Sequence, residues 1–280
     1  MIRKTIIAAL VLFIVYNVVL GWMHPLAGPG QNQWQKNRIA VEDYVDNYQG
    51  IQVVIVGTSL SARLYPSLLP DGYYNLALSG QSILDGLQIV KQCKKKPKFL
   101  LVESNFYYFK LDQDITEGIF DPAMLYLRKW VPSFREENQP SNLLVPLVKK
   151  TQANVSESMD TGVTNKLLRE RVTQYLQLPD SNLVNHSVDL LKKDFAELRA
   201  EGVKIVLYDI PINCKLENLP GHIKPMKRFE KEFPFGQYVY LPAADCSAYQ
   251  YPDGEHIAFG SAPKFADWFV GELKRMGVGP

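Results

Sequence analysis

The stretch IQVVIVGTSLS at residues 51–61 decides the fold. Its first seven residues form a nearly continuous apolar run, rich in β-branched side chains, that ends at Gly57. Such a short run, apolar without alternation and stopped by glycine, predicts a strand that is buried on both faces of a parallel sheet. The polar residues that follow it then lie beyond the carboxyl end of the strand, where open parallel sheets bind their ligands.

Outward from this stretch, strand-like and helix-like segments alternate. Further strands are predicted at residues 73–78, 99–104, 203–211 and 238–242, and helices at residues 39–48, 59–69, 83–93, 185–202 and 261–276. Apolar strands that alternate with amphipathic helices predict an α/β fold, in which helices cover both faces of a five-stranded, mostly parallel sheet.

The N-terminus carries an apolar segment of membrane-spanning length. Residues 5–23 contain no charged side chain, and Arg3 and Lys4 directly precede them. About 20 apolar residues span a bilayer as a helix, and flanking cations stay in the cytoplasm. We therefore predict a single-pass anchor that delivers the rest of the chain to the outer side of the membrane. The alternatives are a cleaved signal peptide, which needs a shorter core and a small-residue cleavage site, and a buried core helix.

Composition excludes several classes of function. The chain has 280 residues, of which 46% are hydrophobic and 21% are charged, so it is globular rather than disordered. Its net charge of +2 provides no electrostatic reason to bind nucleic acid. The three cysteines, Cys93, Cys214 and Cys246, lack zinc-ligand spacing. Outside the cytoplasm, Cys214 and Cys246 can form a disulfide because each follows a predicted strand; the alternative is three unrelated buried thiols.

Composition also suggests a division of the chain. We expect an anchor at residues 1–25, a linker and first helix at 26–48, and one large globular domain at 49–280. Residues 110–180 interrupt the strand–helix rhythm with several prolines and aromatic clusters. An insertion of this length is either a lid or substrate platform or a packing subdomain without a direct role.

Five residues with catalytic chemistry follow the predicted strands and therefore converge at one edge of the sheet. They are Ser59, Gly80, Asn105, Asp253 and His256. A serine hydroxyl needs an adjacent base to become a nucleophile, and His256 can supply it. Asp253, three residues before the histidine, can orient the imidazole. The N–H groups of Ser59 and Gly80 and the amide of Asn105 can form an oxyanion hole.

Each of these residues also has a structural interpretation. Ser59 can cap a helix, Gly80 and Asn105 can serve turns, Asp253 can form an Asx turn, and His256 can be a structural histidine. Weaker candidates for substrate binding are Arg63, one turn beyond the serine, and Tyr107 and Tyr108, just after the asparagine. His24, His186 and His222, the last in a Pro/Gly-rich loop, receive no role.

The same blocks resemble the SGNH (GDSL-like) hydrolase superfamily. VIVGTSLS resembles its serine block, NLALSGQS its glycine block, LLVESN its asparagine block and YPDGEHIAFG its Asp-x-x-His block. The match covers residues 50–109 and 186–276. It departs from the family pattern at Thr58, where the usual residue is Asp, and in the residues that flank Asn105. The resemblance implies a flavodoxin-like three-layer sandwich and catalysis without a metal or organic cofactor.

The resemblance is closest to membrane-anchored SGNH proteins of bacterial envelopes. It implies a serine O-acyltransferase or esterase that acts on an envelope glycan, for example in polysaccharide acetylation, on the periplasmic or extracellular side. A multi-spanning membrane acyltransferase is the implied partner. The alternatives are a lipid or thioester hydrolase and a non-catalytic envelope assembly protein on the same fold.

Overall fold

The computed structural model describes residues 1–23, 32–142 and 161–280. Two compact units divide these residues. The larger comprises Tyr48–Gln113 and the described part of Val155–Pro280; the smaller comprises Met1–Asn47 and the described part of Asp114–Asn154. Residues 24–31, which include the start of the predicted linker, and residues 143–160 of the predicted insertion lie outside the described residues.

A five-stranded parallel sheet forms the centre of the larger unit. Its strands are β1 (Val53–Val56), β2 (Tyr73–Asn75), β3 (Phe99–Glu103), β4 (Lys204–Tyr208) and β5 (Val239–Tyr240). Their order is β2-β1-β3-β4-β5, and every neighbouring pair is parallel. This is the strand order of flavodoxin-like folds. The predicted α/β class is therefore confirmed, and the architecture is consistent with the SGNH fold.

Helices cover both faces of this sheet. The larger unit contains α3 (Ile83–Gln92), α5 (Thr161–Tyr175), α6 (Ser181–Ala200), α7 (Cys214–Glu217), α8 (Pro220–Glu232) and α9 (Ala262–Arg275). Val53 and Ile55 of β1 belong to a buried cluster with Phe269 of α9, whereas Val56 lies against Gly86 of α3. Successive strand residues point to opposite faces of the sheet, and helices cover both faces, so all four positions of β1 are buried.

The sequence-based prediction was wrong at two helices. Residues 59–69, predicted as one helix, form two 3-10 turns at Ser61–Arg63 and Pro66–Leu68. Pro66 disfavours a helical conformation at the preceding residue, and the Asn75 amide donates to the carbonyls of Ser61 and Leu64, both at 2.8 Å. His222, predicted in a loop, lies in α8, because Pro220 occupies the first turn, where proline is tolerated.

A disulfide joins Cys214 to Cys246, and Cys93 is a buried free thiol. Cys214 begins α7, soon after β4, and Cys246 lies in a 3-10 turn just before the predicted Asp253–His256 loop. The backbone N–H of Asn213 also donates to the carbonyl of Gly254, at 3.1 Å. The chain that follows β4 is thus tied to the loop that carries the predicted acid and base.

The smaller unit contains α1 (Ile2–Met23), α2 (Gln33–Asp46) and α4 (Pro122–Trp130), followed by 3-10 turns at Pro132–Phe134 and Glu136–Asn138. Ile2–Trp22 is long and apolar enough to cross a membrane, with a mean hydropathy of 2.3, and nearly all of it is exposed. Arg128 of α4 is buried and pairs with Asp46 of α2 through two N–O contacts of 2.9 and 3.2 Å. This buried ion pair fixes α4 to α2.

Candidate active site

The structure brings Ser59 and His256 into hydrogen-bond contact across 197 positions of sequence. Ser59 lies in the turn that follows β1, and its Oγ is 2.8 Å from Nε2 of His256. Both side chains are half-buried. This is the separation that a general base needs to take a proton from a hydroxyl nucleophile.

Asp253 holds the other side of the imidazole. Its Oδ2 is 2.6 Å from Nδ1 of His256, and its Oδ1 accepts the backbone N–H groups of Glu255 and His256 at 3.0 and 2.8 Å. Partial burial acts to raise the pKa of Asp253, but the hydrogen bonds and charge of His256 and the two backbone donors outweigh it. The pKa therefore falls well below its usual value, and the carboxylate is ionised.

This ionised carboxylate determines the protonation of the ring. A carboxylate only accepts hydrogen bonds, so Nδ1 must carry the proton that it receives. In the neutral ring, Nε2 then holds the lone pair and accepts the hydroxyl proton of Ser59. The three side chains therefore form a relay that can deprotonate the serine, with Asp253 stabilising the imidazolium that results.

A buried carboxylate, Glu103, holds the turn that carries Ser59. Its Oε1 accepts the Thr58 hydroxyl at 2.7 Å; its Oε2 accepts the Thr58 N–H at 2.8 Å, the Ser61 N–H at 3.3 Å and the Ser61 hydroxyl at 2.5 Å. The hydroxyl of Tyr208 lies 2.6 Å from the Ser61 Oγ. The residues on either side of the Ser59–Leu60 pair are thus fixed to the end of β3.

The electrostatics of Glu103 reflect two opposing effects. Complete burial raises its pKa, while the hydrogen bonds from Ser61 and Thr58 lower it. Burial and the neighbouring carboxylate also raise the pKa of Tyr208 well above its ordinary value. Tyr208 therefore keeps its proton and donates it to Ser61, which in turn donates to Glu103. A buried acceptor with four donors is satisfied, and it restricts the serine turn to one conformation.

The predicted oxyanion donors lie at neighbouring strand ends. Within the described part of the chain, the N–H groups of Ser59 and Gly80 have no protein acceptor. Gly80 is exposed and has a φ of +72°, a left-handed conformation that favours glycine. The Leu78 N–H donates to the Gly57 carbonyl at 3.0 Å, which ties the glycine turn to the serine turn.

Asn105 is the most constrained of the predicted donors. Its side chain is buried and exchanges two hydrogen bonds with the backbone of Ile210. The amide donates to the carbonyl at 2.8 Å, and the side-chain oxygen accepts the N–H at 2.7 Å. One amide N–H is thereby committed to Ile210, which leaves the second for the predicted oxyanion role. Asn105 therefore also joins the ends of β3 and β4.

A further polar cluster packs against the loop of Asp253 and His256 from helix α5. Glu255, between the acid and the base in sequence, is buried and pairs with Arg171 at 3.1 Å. Burial raises the pKa of Glu255, and the positive charge of Arg171 lowers it. Burial and Glu255 also raise the pKa of Tyr108 to about 12. Helix α5, which belongs to the predicted insertion, thus fixes the loop of His256 through an ion pair.

The weaker predicted substrate residues have different surroundings. Tyr107 is completely buried, and its hydroxyl donates to the Pro225 carbonyl at 3.1 Å, so the prediction that it lines an acceptor site was wrong. Tyr108 is half-buried beside it. The Arg63 guanidinium lies 4.4 Å from the ring centre of Phe259, which is half-exposed three residues after His256.

Sequence reasoning missed Glu103 and its donors Thr58 and Ser61 as supports of the serine turn. One signal was available, because Glu103 is a charged residue that continues an otherwise apolar strand, FLLVE. It also missed Arg171 and Glu255, whose partnership depends on how α5 packs. Among the described residues, no cluster of three or more His, Cys, Asp or Glu side chains is arranged to hold a metal ion.

The chain shows little similarity to known proteins. No protein-family model matches the chain, and no curated protein matches it significantly. One solved structure, "Crystal Structure of TesA", is similar to this chain with 14% sequence identity and a TM-score of 0.37; the match covers 80% of this chain and 98% of the TesA chain. A TM-score of this size carries no argument about function.

Proposed function

We propose that this protein is a membrane-anchored serine acyltransferase or esterase that acts on an envelope glycan through an acyl-serine intermediate. The observation that carries the proposal is the continuous contact from Ser59 through His256 to Asp253. The resemblance of the four sequence blocks to SGNH hydrolases points to the same chemistry.

The first half-reaction forms the acyl-enzyme. The Ser59 Oγ attacks the carbonyl carbon of the acyl donor while His256 Nε2 takes the hydroxyl proton. The negative charge that develops on the carbonyl oxygen is stabilised by the N–H groups of Ser59 and Gly80 and by the second N–H of Asn105. His256 then returns the proton to the leaving group as the carbonyl–leaving-group bond breaks.

The second half-reaction distinguishes transferase from esterase. A sugar hydroxyl or a water molecule gives its proton to His256 and attacks the acyl carbon, and Ser59 leaves with that proton. An exposed aromatic surface favours the sugar. Phe259 stacks on Tyr65 with ring centres 5.4 Å apart, and Arg63 lies over the Phe259 ring. Aromatic faces and a guanidinium suit the C–H face and the oxygen atoms of a sugar.

Two features support a position outside the cytoplasm. Arg3 and Lys4 precede the apolar helix, which favours the orientation with the N-terminus in the cytoplasm. The Cys214–Cys246 disulfide suits an oxidising compartment. On this proposal, the catalytic unit works on the outer face of a bacterial cytoplasmic membrane, beside a multi-spanning acyltransferase that delivers acyl groups.

The test uses the full chain in detergent micelles and a fluorophosphonate probe. We expect the wild-type protein to be labelled on Ser59, and we expect Ser59→Ala and His256→Ala to abolish labelling. Incubation with an acetyl donor and an oligosaccharide, followed by mass spectrometry of both products, separates acetylated sugar from free acetate. A folded wild-type protein that neither reacts with the probe nor forms an acyl-enzyme contradicts the proposal and favours a non-catalytic assembly protein.

A further inference from the structure

The apolar helix α1 is covered on one face by a short segment of the same unit. The Tyr16 hydroxyl donates to the Asn138 carbonyl at 2.6 Å, and the Asn17 side-chain oxygen accepts the Ser133 N–H at 3.0 Å. The rings of Phe13 and Phe134 meet edge to face, with centres 6.5 Å apart. The 3-10 turns at Pro132–Phe134 and Glu136–Asn138 are therefore attached to the second half of the helix.

The position of these contacts along α1 determines their depth. A helix rises about 1.5 Å per residue, so Phe13 lies about 15 Å before the helix end at Met23, and Asn17 about 9 Å before it. The hydrocarbon core of a bilayer is about 30 Å thick. If α1, about 33 Å long, spans a core of about 30 Å, Phe13 lies near the middle of the bilayer. The attached turns then lie beside the half of the core that ends near Met23, rather than in bulk water.

Helix α4, which leads into these turns, has the polarity expected at the polar boundary of a leaflet. Its charged residue Arg128 faces inward, where it pairs with Asp46, while Tyr126 and Trp130 point outward with 66% and 63% of their surface exposed. The Lys129 ammonium lies 5.2 Å from the Trp130 ring centre. Exposed Tyr and Trp rings with a neighbouring lysine are typical of membrane–water interfaces.

The backbone of residues 131–138 makes internal hydrogen bonds that suit a poorly hydrated environment. The N–H groups of Val131, Phe134 and Arg135 donate to the carbonyls of Leu127, Val131 and Pro132, at 2.7–3.0 Å. The Asn138 side-chain amide makes a further bond to the Pro132 carbonyl at 3.0 Å. Internal hydrogen bonds of this kind reduce the cost of placing irregular backbone near lipid.

We propose that residues 126–138 form a foot that is inserted beside α1 into the leaflet in which α1 ends, with Tyr126 and Trp130 as its anchors at the level of the lipid headgroups. This inference rests on the membrane anchor of the proposed function and is independent of the catalytic chemistry. Its partner is the lipid bilayer. The foot would give the smaller unit a second contact with the membrane besides α1.

Depth-dependent quenching of tryptophan fluorescence tests the proposal. The chain has four tryptophans, Trp22, Trp34, Trp130 and Trp268. Replacing three of them by Phe leaves one reporter in the full-length protein, which is reconstituted in phosphatidylcholine vesicles with bromine at a shallow or a deep position of the acyl chain. We expect Trp130 to be quenched by shallow bromine and protected from aqueous iodide, and the control reporter Trp268 of α9 to be insensitive to both bromine positions.

The reporters separate the two ways of failing. If Trp22 is quenched by brominated lipid but Trp130 responds only to iodide, the anchor holds and the foot does not exist. If neither responds to brominated lipid, α1 is not in the membrane, and both the anchor and the foot are wrong. A nitroxide on Lys129→Cys gives a second readout that retains all tryptophans. It should be more accessible to oxygen than to a water-soluble nickel complex, and the reverse order overturns the proposal.

Discussion

Replacement of Asp253 by asparagine tests the proposed relay most directly, because it changes one atom of the carboxylate. The Oδ1 of Asp253 accepts two backbone N–H groups, at 2.8 and 3.0 Å, so the side-chain oxygen of the introduced asparagine is expected to keep that position. The asparagine amide must then face Nδ1 of His256, where Oδ2 now lies at 2.6 Å. Two donors cannot share that contact, so Nδ1 becomes the acceptor and the ring proton moves to Nε2.

The consequence for catalysis follows from this change of tautomer. With a proton on Nε2, His256 cannot accept the hydroxyl proton of Ser59, although the two atoms remain close. In serine triads generally, this substitution lowers kcat by about 10⁴-fold, or about 5.5 kcal/mol of activation free energy. The folded structure retains its loop contacts, and we expect the free energy of unfolding to fall by only about 1–2 kcal/mol.

The assay compares the second-order rate of labelling by a fluorophosphonate with the thermal unfolding of the same preparations. Asp245→Asn is the matched control, because Asp245 also accepts a backbone N–H, that of Ser247 at 2.9 Å, but contacts no histidine. We expect Asp245→Asn to label at the wild-type rate. An Asp253→Asn variant that is folded and labels within about tenfold of the wild-type rate refutes the relay.

Four further predictions concern stability. Gly57→Ala places a methyl group 2.6 Å from a buried carboxylate oxygen beside the serine turn; we expect denaturant unfolding to show a loss of about 1–3 kcal/mol together with loss of probe labelling. In Gly271→Ala of α9, the added methyl group meets no atom within 4 Å, so the free energy of unfolding should rise by about 0.5–1 kcal/mol. Equal effects of Gly57→Ala and Gly271→Ala on stability would contradict the packing argument. Removal of the Cys214–Cys246 disulfide, with a sequence separation of 32, should lower the free energy of unfolding by about 4 kcal/mol, as measured by thermal unfolding. If adding a reductant destabilises the disulfide-free variant further, a different bond is responsible. Burial raises the pKa of Asp85 to about 7, so the native state keeps a proton that the unfolded chain releases. The free energy of unfolding should therefore fall as pH rises from about 4 to 7. If the Asp85→Asn variant shows a fall of the same size, another group causes the pH dependence.

Several features of the catalytic arrangement could be predicted from the sequence because they are local or follow from topology. The spacing of Asp253 and His256 allows their contact within one loop. The carboxyl ends of parallel strands meet at one edge of the sheet, so a serine after the first strand is expected near that loop. The alternation of apolar strands with amphipathic helices was sufficient to predict the parallel sheet.

Other features depended on tertiary packing. The 2.8 Å contact between Ser59 and His256 joins residues 197 positions apart, and no local pattern determines such a distance. Tyr107 and Tyr108 are adjacent in sequence, yet one is completely buried and the other half-buried, because their neighbours come from distant segments. The packing of α5 on Glu255 and the attachment of residues 132–138 to α1 likewise join parts of the chain that have no pattern in common.

Glu103 shows the physical reason for this division. The sequence determined that a carboxylate ends a buried apolar strand, which demands partners because an unpaired buried charge is too costly. Only the tertiary structure decided that those partners are Thr58 and Ser61, because long-range geometry brings the end of β3 beside the turn after β1. Local propensity and hydrophobic pattern are properties of neighbouring residues, whereas the satisfaction of a buried polar group is a property of the whole packed core.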